Sequence, residues 1–134
     1  MKAWAVLDSS ALLAWMFDER GKENVSVALE KGCVMSTVNW CEVVQKANEH
    51  GVSTKLIYQK LTDKQILNTA LTILAFPEPL ANVAAGMFPL TKPFGLSLGD
   101  RACLALAIEQ KLPVLTTDNA WSKVDLDVEV QVIR

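Results

Sequence analysis

Four acidic residues stand where the chain could place chemistry: Asp8, Glu42, Asp100 and Asp118. Asp8 directly follows an apolar run, A-W-A-V-L, and Asp118 directly follows P-V-L-T-T. Both are therefore expected at the carboxyl ends of buried strands, the edge at which open parallel sheets bind ligands. Glu42 lies near the start of a helical stretch opened by Ser36 or Thr37, and Asp100 lies three residues after Ser97. Each acid also has a purely structural use. Asp8 and Asp118 could form turns or caps, and Ser97 with Asp100 has the spacing of a capping box, Asp standing in for the preferred Glu or Gln. Glu42 falls on a polar stripe with Asn39, Lys46 and Glu49 that a solvated helix face would explain.

Brought together, four carboxylates would repel one another and retain protons. A divalent cation relieves that repulsion and gives the grouping a reason. Mg²⁺ prefers oxygen ligands and keeps several waters, whereas zinc favours imidazole or thiolate. His50 is the only histidine and has no metal-ligand spacing around it. Asp8 and Asp100 are assigned to direct coordination of Mg²⁺, with Mn²⁺ as a substitute. Glu42 and Asp118 complete the acidic shell, orient water or hold a second ion. Such an ion orients a phosphodiester, acidifies bound water and stabilises the leaving oxygen. The chain lacks D-x-D at residues 8–10 and a Gly-rich loop there, which weighs against an aspartyl-phosphate phosphatase and against a dinucleotide or P-loop site.

The elements that must carry these acids can be read in outline. Strands are expected from the apolar opening run ending at Leu7, at 33–35, at 71–76, at 112–116 with Pro113 at the strand's first residue, and at 128–133, the last alternating as an edge strand. Helices are expected at 10–17, with Ser9 or Ser10 as cap, at 22–30, from Ser36 or Thr37 to about His50, at 53–62, from Pro77 to about Met87, and at 98–110. The segment 88–96, with Pro89, Pro93 and Gly95, reads as a loop. Strands separated by helices give an α/β sandwich around a mostly parallel sheet. Trp4 is read as a buried strand residue, Trp121 as core, and Trp15 as core or partner-facing. Cys33, Cys41 and Cys103 read as buried free thiols.

At 134 residues and 14.7 kDa the chain fits one domain with a real core. With 51% hydrophobic and 21% charged residues, its composition is that of a folded protein. No apolar run is long enough to span a bilayer and no signal sequence opens the chain, so a cytoplasmic location is expected. The net charge of -2 is unpromising for a nucleic-acid binder. Setting aside the four acids, however, leaves eleven acidic against thirteen basic residues, a surface that could attract phosphate. Lys55, Lys60, Lys64 and Lys92 are candidates for such contacts.

The quartet and its flanks resemble a known family. The stretches V-L-D-S-S-A-L-L-A at 6–14, N-W-C-E-V at 39–43, L-S-L-G-D-R-A-C-L-A-L-A at 96–107, L-T-T-D-N-A-W at 115–121 and the V-E-V-Q-V-I-R tail are similar to the VapC-type ribonuclease toxins among the PIN-domain nucleases. The resemblance implies one PIN domain over residues 1–134, with a five-stranded sheet in the order 3-2-1-4-5. It implies metal-dependent endonucleolytic cleavage of RNA, inhibition by a cognate VapB-type antitoxin, and a homodimer. It also makes Ser9, Asn39 and Thr116 secondary polar candidates beside the acids. A non-toxin PIN nuclease of nucleic-acid processing and a noncatalytic RNA- or protein-binding module are the competing functions. A phosphate-regulated receiver fits residues 39–43 and the T-T-D-N context poorly.

Overall fold

In the computed structural model, which describes residues 2–134, five short parallel strands form one sheet. They are β1 (Ala5–Leu7), β2 (Cys33–Ser36), β3 (Leu71–Leu74), β4 (Val114–Thr116) and β5 (Val130–Val132), and the sheet runs β3-β2-β1-β4-β5. The expected order is the observed one. Strand alternation divides the core in two. Leu7, Met35 and Leu115 point into one layer with Leu12, Val25, Val43 and Ile57. Val6, Val34 and Val114 point into the other with Leu80, Leu104, Leu106 and Trp121.

Helices cover both faces. On the first layer lie α1 (Ser9–Met16), α2 (Lys22–Lys31), α3 (Thr37–Glu49) and α4 (Thr54–Asp63). On the second lie α5 (Glu78–Gly86) and α7 (Leu98–Gln110). α7 is buried almost all round, from Ala102 through Ala107, and its small residues let it approach both the sheet and α5. The turn into α2 depends on Gly21, whose φ of +100° favours glycine; a Cβ there would meet the backbone carbonyl of Ile133 at 2.6 Å.

Three sequence expectations are corrected. Trp4 precedes β1 and is 59% exposed; its N–H joins the carbonyl of Gly32, but its indole lies outside the sheet beneath the Lys31 ammonium. Residues 88–96 are not a plain loop. They form a short helix α6 (Phe88–Thr91) and a 3₁₀ turn (Lys92–Phe94), because Pro89 and Pro93 each fall in a first helical turn, where a missing N–H costs nothing. Cys41 is exposed on α3, while Cys33 and Cys103 are buried as expected.

Candidate functional site

The sheet order reverses between β1 and β4, since β2 and β3 extend one way from β1 while β5 extends the other from β4. This switch point is where open α/β sheets leave a crevice. Asp8 follows β1 and Asp118 follows β4 by two residues, so both acids flank it. α3 leaves the same edge after β2 and carries Glu42 in its second turn, and α7 begins nearby with Asp100.

Asp8 is buried, and it caps α1 itself by accepting the N–H of Ala11 on Oδ1 at 2.8 Å. This displaces the expected serine cap. Ser9 makes no side-chain hydrogen bond among the described residues, whereas Ser10 donates to Asp8 Oδ1 at 2.7 Å. Thr116 donates to Asp8 Oδ2 at 2.6 Å. Both hydroxyls are themselves oriented by the end of β4. Thr117 N–H donates to Ser10 Oγ at 3.0 Å, and Asp118 N–H donates to Thr116 Oγ1 at 3.1 Å. Two short relays therefore fix the rotamer of Asp8 from a strand more than 100 residues away. Ser10 was legible only as an alternative cap; the signal for its role was a hydroxyl two residues after an N-cap acid.

Asp100 closes the capping box of α7: it accepts Ser97 N–H at 2.8 Å, while Ser97 Oγ accepts the N–H of Asp100. Asp118 accepts the N–H of Ala120 and is exposed. Glu42 is half-buried and receives a hydrogen bond from the buried Asn39. Asn39, expected on a solvated stripe, is thus interior.

The carboxylates share one electrostatic neighbourhood. Burial pushes the carboxyl of Asp8 up to about 6, against the lowering effect of its hydrogen bonds, and the charge of Asp100 adds to the rise. Burial likewise raises Asp100, with Glu42 and Asp118 contributing. The buried Cys103 thiol beneath them is raised by burial first and then by Asp8, Asp100 and Glu42. Among the described residues, no three acidic, histidine or cysteine side chains already stand in metal-ligating geometry. Each acid is held instead by its own protein donors. The donor set is nonetheless all oxygen, partly desolvated and mutually repulsive, which is the chemistry a hard divalent cation satisfies.

Other expected contacts lie elsewhere. Lys60 and Lys64 border a cavity of about 580 Å³ between α1, α2 and α4, with Trp15, Phe17 and Ile57 on its walls. The Lys92 ammonium stands over the Phe88 ring.

The sequence profile of the PIN domain family matches residues 5–126. The chain belongs to that family. No curated protein matches it. Solved structures match the PIN domain along nearly its whole length. The VapBC2 complex of Rickettsia felis bound to a promoter DNA fragment has a TM-score of 0.67 at 14% identity, covering 95% of this chain and 96% of that one. DNA-bound VapBC of Salmonella typhimurium gives 0.67 at 12% identity, with 96% and 97% covered. A toxin–antitoxin complex of Klebsiella pneumoniae gives 0.63 at 19% identity, with 93% and 98% covered. These likenesses establish a shared fold.

Proposed function

We propose that this PIN domain, a single unit over residues 1–134, is a Mg²⁺-dependent endoribonuclease toxin of a type II toxin–antitoxin pair, acting in the cytoplasm. The observation that carries this reading is the buried carboxyl of Asp8 at the β1–β4 switch point, fixed there by the hydroxyls of Ser10 and Thr116 within the electrostatic reach of Asp100. Asp8 and Asp100 would hold the cation; Glu42 and Asp118 would complete the shell. When bound, Mg²⁺, or Mn²⁺ in its place, keeps the carboxylates ionised and polarises phosphodiester and water.

The chain's own residues set the rest. Thr116 and Ser10 hold Asp8 in one rotamer, so the direction of its carboxylate is set before substrate arrives. Ser97 anchors one oxygen of Asp100. The positive end of α7 favours negative charge at its first turn, which suits a phosphate as well as a carboxylate. Asp118 is exposed to solvent and would accept the proton of an attacking water.

Partners follow from the same surface. The acidic edge would suit the basic tail of a VapB-type antitoxin, and the Rickettsia and Salmonella structures that share the fold are DNA-bound VapBC complexes. Val83 on α5, Leu98 at the start of α7, and Phe88, Leu90 and Phe94 between these helices are exposed apolar side chains, which a homodimer would cover. The function is tested by mapping new RNA 5′ and 3′ ends across the transcriptome after inducing wild type or Asp8→Asn. Discrete cuts are expected only with the intact acid. Equal cutting by both would overturn the reading.

A further inference from the structure

Glu42 does not reach the acidic edge unaided. The side-chain nitrogen of Asn39, one turn earlier on α3, donates to Glu42 Oε1 at 2.9 Å and to the backbone carbonyl of Gly99 at 2.9 Å. Both of its hydrogens are therefore used, one on the acid and one on α7. The amide has only one workable orientation. Flipping it would set Oδ1 against a carboxylate and a carbonyl, and Oδ1 is the atom left buried without a partner.

Gly99 completes the arrangement from the other side. A Cβ at this position would lie 2.7 Å from Glu42 Cδ and 2.8 Å from Oε1, closer than real side chains approach. Gly99 has an ordinary helical backbone, so no left-handed conformation calls for glycine here. Glycine within a helix is also less stable than alanine. What the missing side chain provides is room: the carboxylate of Glu42 rests on the bare Cα in the first turn of α7, one residue before Asp100.

We propose that Asn39 and Gly99 are positioning residues that form a seat for the Glu42 carboxylate beside Asp100, and that glycine at 99 serves the site and not the helix. The seat joins α3 to α7 across the edge of the sheet, so two acids more than 50 residues apart are presented as a pair. This rests on the reading of Glu42 as part of the cation shell.

The test uses the full chain and Mn²⁺ alone, titrated by calorimetry and by electron paramagnetic resonance, with metal-free melting measured in chelator. Gly99→Ala and the near-isosteric Asn39→Leu are expected to weaken Mn²⁺ binding at least tenfold. The metal-free melting temperature of Gly99→Ala should stay within a few degrees of wild type or rise. Adding Glu42→Asp to Gly99→Ala shortens the acid away from the new methyl and should recover part of the affinity. A merely structural defect would not be rescued in this way. Should Asn39→Leu fail to fold, Gly99→Ala with its rescue still decides. If Glu42→Gln weakens Mn²⁺ binding and Gly99→Ala does not, the seat is overturned while the metal reading of Glu42 stands. If Glu42→Gln leaves binding unchanged, Glu42 is no ligand and the seat is overturned with that reading.

Discussion

Asp8 concentrates the physics of the site because its cost can be measured apart from its function. Its carboxyl is held at about 6 where an ordinary one titrates near 3.8, burial being the main cause. Between those values the folded chain keeps a proton that the unfolded chain has released. Without cation, the contribution of Asp8 to stability therefore falls as pH rises from about 4 through 6, by roughly 3 kcal/mol at 1.36 kcal/mol per pKa unit. Asp8→Asn can still accept the N–H of Ala11 and escapes this penalty. In chelator at about pH 8 it is expected to unfold at higher urea than wild type; near pH 4 the gap should close. Urea midpoints across the pH range check the sign. Asp100 separates cap from chemistry in the same spirit. Asp100→Asn keeps an acceptor for Ser97 N–H and should fold normally but lose RNA cleavage, whereas Asp100→Ala should also lose about 1 kcal/mol of stability. Circular dichroism melts alongside a cleavage assay distinguish the two.

At the scale of elements, the side-chain hydrogen bonds that join the ends of β1 and β4 are the part least legible in the local sequence. Apolar runs ending in Asp located both strand ends, and Ser97 with Asp100 announced the start of α7, because these signals are local. The partner of Asp8 is Thr116, 108 residues away; the family resemblance placed Thr116 beside the acids, but no local signal in either stretch pairs it with Asp8. Asn39 shows the same limit: its periodicity reads as solvated, yet a carbonyl 60 residues on draws it inside. Residues 88–96 read as a loop for the opposite reason, since two prolines that usually break helices begin short ones over 88–94. The Thr116 relay makes a prediction. Thr116→Val removes the donor to Asp8 and leaves the N–H of Asp118 without its acceptor, so it should cost about 1–3 kcal/mol. It should also lower kcat more than it raises KM, read from urea unfolding and steady-state cleavage together.

At the scale of the molecule, the alternation of strands and helices foretold a mostly parallel sheet, while its order, observed as β3-β2-β1-β4-β5, was expected from the family resemblance alone. The exposed apolar side chains from Val83 to Leu98 are spread over α5, α6, the 3₁₀ turn and the start of α7, and their exposure became visible only once the chain was folded. Replacing Leu90 and Leu98 together by Glu should convert a dimer to a monomer in sedimentation velocity, with little change in melting temperature, since both side chains are more than half exposed. The central claim, that separated carboxylates converge on one cation, is tested most directly by anomalous scattering from crystals equilibrated with Mn²⁺. A peak bonded to Asp8 and Asp100, with Glu42 and Asp118 around it, is the expected result. No peak at the β1–β4 edge, in crystals of protein that cleaves RNA in the same Mn²⁺ buffer, would contradict it.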